Sequence, residues 1–420
     1  MKKKILVVAG LIVAAFAVTG CGSNSGSNSS SKEIEFFSAK PENADTMKEL
    51  VNKFNEQNSG DGVKVVLNTP ADAGTVLKTR LAKNDVPDVM ALGGDNYYTE
   101  VESTGTLADL SNESYMKNVQ DAYLQMVYDV QKDKEKTAYA VPYATNASGV
   151  LYNVDKFNEL GLEVPKTWDE FMDVIKKIED AGEQPFLFTF KDSWTCLPAW
   201  NTMAPDLQPD GFMEDRKENK TTFADTHQEI AQKYLELIAH GQKDIMGTTY
   251  DDGNKAFANG EAVMMMNGSW AISQFMAANA DFNVNMFALP ASNDESKNYV
   301  TSGVDVLFCA NKNSKNLDLA KKFIAFMMEE ENAKTYIDEQ FTFSAIKGVE
   351  QTDNKVSGVE EDIANGKVSN YPDHYYPSGF DLSSLLSEFC LNYVNGMDDD
   401  KNISEFLKNC DEKYDATNID

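Results

Sequence analysis

Between residues 33 and 92 the chain alternates strand patterns with helix patterns, and this order constrains the fold more than any other feature of the sequence. The predicted elements are strands at 33–37, 63–67 and 88–92 and helices at 44–58 and 75–83. Strand–helix–strand order requires parallel strands with helices packed on the faces of the sheet. We therefore predict an α/β fold, with ligand-binding loops starting at Ser38 and Gly93, because ligands of such sheets bind beyond the carboxyl ends of the strands.

The rest of the chain continues with both kinds of element. Apolar runs predict strands at 150–152, 186–190 and 301–310, and helical spacing predicts helices at 168–178, 231–238, 273–277, 317–328, 382–394 and 403–414. Thr167 and Glu170 form a capping box in front of the first of these helices. A length of 420 residues is enough for two or three domain-sized units.

The N-terminal 31 residues differ in character from everything that follows. Three lysines precede an apolar run at 5–18 that is too short to span a bilayer and that ends in small residues before Cys21. Residues 22–31 contain only Gly, Ser and Asn, a composition typical of flexible tethers. We predict a signal peptide at 1–20 and a tether at 21–32.

Val18–Cys21 resembles a bacterial lipobox, in which the cysteine thiol is lipidated and becomes the new N-terminus. The alternative is an ordinary secretory signal followed by an unmodified cysteine. No second run of eighteen apolar residues exists, so we expect contact with the membrane only through the lipid on Cys21. The predicted location is the extracellular face of the cell membrane.

Composition excludes several classes of partner. A formal net charge of −29 repels nucleic acids and anionic lipids, so we predict that the chain binds no DNA or RNA. The three histidines have no metal-ligand spacing, and we predict neither a metal site nor a cofactor. Cys390 and Cys410 lie on consecutive predicted helices, either as a disulfide or as free buried thiols. We expect a monomer.

Three blocks in fixed order carry a resemblance to a known family. They are GVLYN at 149–153 with PKTWDE at 165–170, FANGEAVMMMNGSW at 257–270, and NSKNLDLAKKFI at 313–324. With the lipobox, they resemble the extracellular solute-binding proteins of ATP-driven sugar importers, the family typified by maltose-binding protein. The resemblance covers nearly all of residues 33–415.

This resemblance implies two α/β lobes with a ligand cleft between them and hinge crossings. We place lobe 1 at 33–142 plus 300–345, and lobe 2 at 143–299 plus 346–420. It also implies that the closed form is recognised by the permease subunits of an ABC transporter. Hinge closure around ligand is the motion described for periplasmic binding proteins as a group.

Two tryptophans are the first candidates for contact with a sugar. Sugar rings present apolar C–H faces and a rim of hydroxyls, so their sites pair aromatic side chains with planar polar groups. The resemblance implies that Trp194, after the predicted strand at 186–190, and Trp270, at the far end of another predicted strand, are stacking platforms. Burial in the core is the alternative for each.

Polar candidates come from the loops and the crossing region. Asp95 follows Gly93 and Gly94 after a strand, and it corresponds to a family position that accepts sugar hydroxyls; a solvated loop carboxylate is the alternative. The resemblance further implies ligand contacts from Asn146 and Tyr143 near the crossing and from Lys40 in the first loop.

Three later residues complete the set. Asp305 interrupts an otherwise apolar strand, and a buried carboxylate needs either a protein partner or a ligand to offset its desolvation. The adjacent Asp373 and His374 have the chemistry to hold vicinal hydroxyls. They resemble the branch that binds α-1,6-linked oligosaccharides of the raffinose and isomaltooligosaccharide types, with a surface turn as the alternative.

Two other functions are alternatives to sugar capture. A surface-anchored glycoside hydrolase needs two carboxylates roughly 5–9.5 Å apart, and 67 acidic residues provide pairs without identifying any. No common catalytic motif is present, so we predict no catalytic residue and no enzyme. The second alternative is a cationic solute such as a polyamine, with Asp95, Asp192, Asp305 and Asp373 as charge partners, whose affinity would depend on salt.

Overall fold

The computed structural model describes residues 32–70, 72–132, 135–377 and 379–418. The predicted signal peptide and the tether through residue 31, with Cys21, lie outside the described residues. The strands are β1 (Lys32–Ser38), β2 (Val63–Asn68), β3 (Val89–Leu92), β4 (Val141–Thr145), β5 (Ser148–Asn153), β6 (Met264–Gly268), β7 (Val284–Phe287), β8 (Val300–Thr301), β9 (Val304–Ala310), β10 (Phe343–Ser344) and β11 (Val368–Ser369).

The helices pack around these strands in two groups. They are α1 (Ala44–Gln57), α2 (Ala73–Ala82), α3 (Asn96–Glu102), α4 (Asp121–Val130), α5 (Val154–Glu159), α6 (Trp168–Asp180), α7 (Leu197–Leu207), α8 (Phe212–Lys217), α9 (Phe223–Thr226), α10 (Gln228–Ala239), α11 (Tyr250–Ala258), α12 (Ile272–Ala278), α13 (Leu317–Met327), α14 (Glu330–Gln340), α15 (Ser357–Ala364), α16 (Leu382–Val394) and α17 (Asp399–Thr417). Across the described ranges, no helix combines the length and apolar character required to cross a bilayer.

The first lobe is built on a six-stranded sheet. Its strand order is β10-β4-β9-β3-β1-β2, with β1 parallel to β2 and β3, and with β9 antiparallel to β3 and β4. Successive residues of β1 are buried on opposite faces, because side chains alternate along a strand. Phe36 packs in a core with α1, α13 and α14, whereas Phe37 packs with α2, α3 and α4. The predicted α/β architecture is confirmed.

The second lobe has a five-stranded sheet centred on β5. This strand pairs antiparallel with β6, β7 and β8, and β8 pairs with β11. Val150 belongs to the core formed with α6, α7, α10, α16 and α17, and Leu151 to the core on the other face with α11, α12 and α15. Each sheet is therefore covered by helices on both faces.

The chain passes between the two sheets three times. It does so between β4 and β5, between β8 and β9, and between β10 and β11. The first two passages are joined directly, since the backbone N–H of Asn146 donates to the carbonyl of Gly303 at 3.2 Å. The boundaries predicted at 142/143, 299/300 and 345/346 lie a few residues from these passages.

The strand predicted at 186–190 is absent from the sheets. Phe186 makes only isolated bridges to Gly241 and Met264, and the backbone N–H of Phe188 donates to the side-chain oxygen of Gln242 at 2.8 Å. The segment is extended and buried, which accounts for its strand-like apolar pattern. A buried extended segment whose backbone bonds partly to side chains cannot be distinguished from a sheet strand by its apolar pattern.

The cysteines of the described residues are free and buried. Cys390 lies near Tyr234, whose hydroxyl is 3.6 Å from the Cys390 sulfur and donates to the carbonyl of Cys196 at 3.0 Å. Of the two alternatives that the sequence left open, the structure shows free thiols.

His227 is a fully buried titratable group in the core of the second lobe. Its ring packs against Phe212, Phe223 and Trp200, with ring centroids 4.4, 5.0 and 5.9 Å away. Nδ1 lies 2.8 Å from the hydroxyl of Thr226, whereas Nε2 has no hydrogen-bond partner among the described residues. Burial lowers the pKa of His227 to about 3, so the folded protein holds this ring neutral.

This burial predicts part of the acid sensitivity of the fold. An unfolded histidine has a pKa near 6.5. Between about pH 6.5 and 3, the unfolded chain therefore binds a proton at this side chain, whereas the folded chain does not. Stability is therefore lost as the pH falls, by about 3 kcal/mol at pH 4.5. We expect His227→Phe to show a smaller drop in Tm than the unmodified protein between pH 7 and 4.5, measured by calorimetry.

A matched control is His240→Gln, because the partly exposed ring of His240 pairs with Glu179 near the surface. The control should keep the acid-induced drop. An equal drop in the His227→Phe variant would show that other groups account for the loss of stability.

Candidate functional site

A cleft of about 380 Å³ lies where the loops of the two lobes face each other. It includes the loops after β1 and β3, as predicted from strand order, together with the first passage between the sheets. The lining residues are Ala39, Lys40, Glu42, Gly93, Asp95, Tyr97, Asn146, Trp194, Leu197, Pro198, Asn201, Trp270, Val304, Asp305, Tyr371, Asp373 and His374. Eight of the ten residues predicted to contact ligand are among them, and their role in binding stays a prediction.

Tyr143 is not in the cleft, and its predicted placement there is wrong. It lies on β4 inside the first lobe, where its ring packs against Phe308 and Tyr336 with centroids 4.7 and 5.1 Å away. Its hydroxyl donates to the carbonyl of Asn332 at 3.2 Å. Tyr143 is therefore part of the core between the sheet and helices α13 and α14.

Asp192 also lies outside the cleft lining. Its carboxylate accepts a hydrogen bond at 2.7 Å from the backbone N–H of Tyr250, at the start of α11. Its carbonyl accepts from the N–H and the hydroxyl of Thr195, at 2.9 and 2.8 Å. These bonds hold the turn that carries Trp194, so Asp192 contributes to the cleft indirectly, by positioning that tryptophan.

The two tryptophans that line the cleft both belong to the second lobe. Trp194 is 41% exposed, and its ring makes an edge-to-face contact with the ring of Tyr250, with centroids 4.7 Å apart. Trp270 follows β6, and its ring lies so close to Gly268 that a Cβ there would be 2.0 Å from it. Only glycine leaves room for the indole at this strand end. The lobe thus supplies apolar aromatic surface to the cleft.

A hydrogen-bonded network lies at the passages between the lobes. One carboxylate oxygen of Asp305 is 2.5 Å from Nζ of Lys40, and the other accepts from the side-chain amide of Asn146 at 3.1 Å. The amide oxygen of Asn146 accepts from the hydroxyl of Tyr371 at 2.9 Å and from the N–H of Gly303 at 3.2 Å. The buried carboxylate therefore has protein partners, and it also borders the cleft.

Lys40 keeps its charge in this network. Burial alone would lower the pKa of Lys40, but the nearby carboxylates of Asp305 and Glu42 outweigh it and raise the pKa. The ammonium group therefore neutralises one of the acidic groups of the cleft at every physiological pH. Lys40 remains able to donate, because an ammonium group has three N–H donors.

Asp95 faces the second lobe from the start of α3. Its carboxylate accepts from the N–H of Tyr97 at 2.8 Å, as an N-cap does, and a Cβ at Gly93 would lie 2.7 Å from it. Burial raises the pKa of Asp95 above its ordinary value. Asp373, beside His374, accepts from the side-chain amide of Asn201 at 2.8 Å.

Several lining residues were not predicted as ligand contacts, and two of them, Tyr371 and Asn201, take part in hydrogen bonds at the cleft. Tyr371 directly precedes the Pro-Asp-His segment, so its position was a usable signal, whereas Asn201 lies in the apolar helix α7 without a recognisable motif. Asn201 is buried, and its side-chain oxygen has no partner among the described residues. An unsatisfied amide oxygen beside the cleft can accept a hydrogen bond from a ligand hydroxyl.

Chemically, the cleft suits a ligand with apolar faces and many hydroxyls. Aromatic surface comes from one lobe, while carboxylate, amide, imidazole and ammonium groups surround it and can bond to hydroxyls in either direction. Within the described ranges, no group of three or more His, Cys, Asp or Glu side chains is arranged to hold a metal ion.

Comparison with known proteins agrees with this geometry. Residues 40–334 match the bacterial extracellular solute-binding protein family. The multiple sugar-binding protein of Streptococcus mutans is 31% identical over 357 residues, which cover 82% of this chain and 83% of that protein. The melibiose/raffinose/stachyose-binding protein MelE of Bacillus subtilis is 24% identical over 396 residues, covering 90% and 89%.

Solved structures show the same two-lobe arrangement. The solute-binding protein RafE in complex with raffinose has a TM-score of 0.73 and 27% identity, covering 92% of this chain and 99% of that one. The apo form of RafE from Streptococcus pneumoniae has a TM-score of 0.77 and 27% identity, covering 94% and 100%.

Proposed function

The chain belongs to the bacterial extracellular solute-binding protein family, and from this premise we propose that it captures an oligosaccharide and delivers it to an ABC import permease. The family and the relatives are solute-binding proteins rather than enzymes, so the hydrolase alternative is set aside. Transport in such a system requires a membrane permease and an ATP-hydrolysing subunit on other chains.

The observation that carries this proposal is the pairing of Trp194 and Trp270 with polar groups from the opposite lobe and from the first passage between the sheets. Aromatic faces and the C–H faces of a sugar exclude water from each other, whereas Asp95, Asn146 and Lys40 offer both acceptors and donors to the hydroxyl rim. A ligand held between the two sets would contact both lobes and so favour their closure.

We further propose an α-1,6-linked ligand of the raffinose or isomaltooligosaccharide type. Support comes from the relatives whose names specify melibiose, raffinose and stachyose, and from the solved complex with raffinose. The Asp373–His374 pair, which carried this prediction in the sequence, lines the cleft.

A cationic solute such as a polyamine is the second candidate. Asp95, Asp305 and Asp373 border the cleft and would attract an amine. The salt bridge from Lys40 to Asp305 offsets one of these negative charges, which favours a neutral ligand over a cation.

A calorimetric titration of residues 22–420 against a ligand panel tests the function. The panel contains raffinose, panose, isomaltotriose, maltotriose, lactose, xylotriose and spermidine. We expect binding confined to the α-1,6-linked sugars, with Kd on the order of μM and little change between low and high salt. Binding only to maltotriose or xylotriose would refute the proposed linkage, and a salt-sensitive signal from spermidine alone would refute sugar capture.

Removal of either platform should weaken binding without unfolding the protein. We expect Trp194→Ala and Trp270→Ala each to raise the Kd for the bound sugar at least about tenfold, which corresponds to about 1.4 kcal/mol. Tyr299→Ala is a matched control, because Tyr299 is 39% exposed, close to the value for Trp194, and lies outside the cleft. Unchanged affinity in both tryptophan variants would remove this site assignment while leaving the family membership intact.

We propose that Cys21 carries the lipid that holds the protein on the extracellular face of the membrane. The motif at 18–21 and the Gly/Ser/Asn tether support this proposal. Expressed as the full chain in a bacterium that processes lipoproteins, the unmodified protein should partition into the detergent phase of a Triton X-114 extraction. Cys21→Ala should partition into the aqueous phase, and aqueous behaviour of both would contradict the lipid anchor.

A further inference from the structure

A second cavity, of about 310 Å³, adjoins the cleft. The two cavities share Asp95, Tyr97, Asp373 and His374, so a ligand can pass from one to the other without leaving the interlobe space. The second cavity is completed by Lys78 of α2 and Glu100 of α3. Asp95, Asp373 and His374 were predicted from the sequence as ligand contacts, whereas Lys78, Tyr97 and Glu100 were not.

Tyr97 forms the wall that continues from the cleft into the second cavity. It is 38% exposed and lies in the first turn of α3. A Cβ at Gly74 of α2 would lie 2.7 Å from its hydroxyl and 2.8 Å from a ring carbon, so glycine at this position lets the ring lie directly on the backbone of α2. The ring is thus held in place while part of it stays open to the cavity.

Lys78 and Glu100 lie next to this ring because of helical spacing. Glu100 follows Tyr97 by three residues and Lys78 follows Gly74 by four, so each shares a face of its helix with the neighbouring position. Their side chains form an ion pair at 3.0 Å. The pair presents N–H donors and carboxylate acceptors beside an aromatic ring, and it adds no net charge.

From this combination we propose that the second cavity is a subsite for an additional sugar ring, with Tyr97 as its aromatic surface and Lys78 and Glu100 as its hydroxyl partners. The inference rests on the proposed function and extends it to ligand length. The ring or rings on Trp194 and Trp270 occupy the cleft, and the chain continues between Asp95 and His374. The preferred ligand therefore has at least one ring more than the main cleft alone accommodates.

The test compares ligands of increasing length from the linkage that the panel selects. For the raffinose branch these are melibiose, raffinose and stachyose, with two, three and four rings, titrated against the unmodified protein and Tyr97→Ala. We expect the variant to lose about tenfold in affinity for the longest ligand and less than about twofold for the disaccharide. Tyr97→Phe keeps the ring and should restore most of the lost affinity.

The outcomes separate this subsite from the function itself. Equal losses at all three lengths would mean that Tyr97 acts only as a residue of the main cleft and would overturn the subsite. Unchanged affinity at every length would overturn it as well. Lys78→Met combined with Glu100→Gln should likewise weaken only the longer ligands. If the unmodified protein binds no sugar of any length, the proposed function fails together with the subsite; if it binds them all but Tyr97→Ala shows no length dependence, the subsite alone fails.

Discussion

The side-chain amide of Asn146 joins the three stretches of chain on which the cleft depends. Its oxygen accepts from Gly303 on the second passage and from Tyr371, which follows β11, and its nitrogen donates to Asp305 on β9. Because these hydrogen bonds are partly shielded from water, they are stronger than hydrogen bonds at the surface. An unpaired amide at the same place would lower the stability of the fold. The relative placement of the tryptophans of one lobe and the acids of the other follows from this connection.

Charge around that connection is balanced locally although the whole chain is strongly acidic. Lys40 neutralises Asp305, and the Lys78–Glu100 pair adds no net charge where the cleft continues. A net charge of −29 therefore does not require a cationic ligand. The acidity is spread over the exposed surface, where it favours solubility and repels nucleic acid.

The sequence was sufficient for the features that depend on local pattern. Strand β1 and helix α1 follow from alternation and helical spacing, and Trp270 reaches the cleft because a glycine turn and an apolar strand precede it. Features that depend on contacts between residues distant in sequence could not be predicted from the sequence. Tyr143 was predicted to contact ligand, and only the structure shows that its ring packs against Phe308 and Tyr336. Asn201 belongs to no sequence motif, because its contribution to the cleft depends on a hydrogen bond to Asp373, which is distant in sequence.

The division of chemistry between the lobes has a consequence for how a sugar would be captured. Both tryptophans belong to the second lobe, so apolar stacking can form on that lobe before the lobes close. Lys40 and Asp95 belong to the first lobe, so their hydrogen bonds to the same ligand require closure. Because a ligand shifts a conformational equilibrium only by its differential contacts with the two states, these polar groups would be the ones that favour the closed form. In the proposed function, stacking on the tryptophans would hold the sugar on the second lobe, and the polar contacts of the first lobe would make closure depend on the ligand.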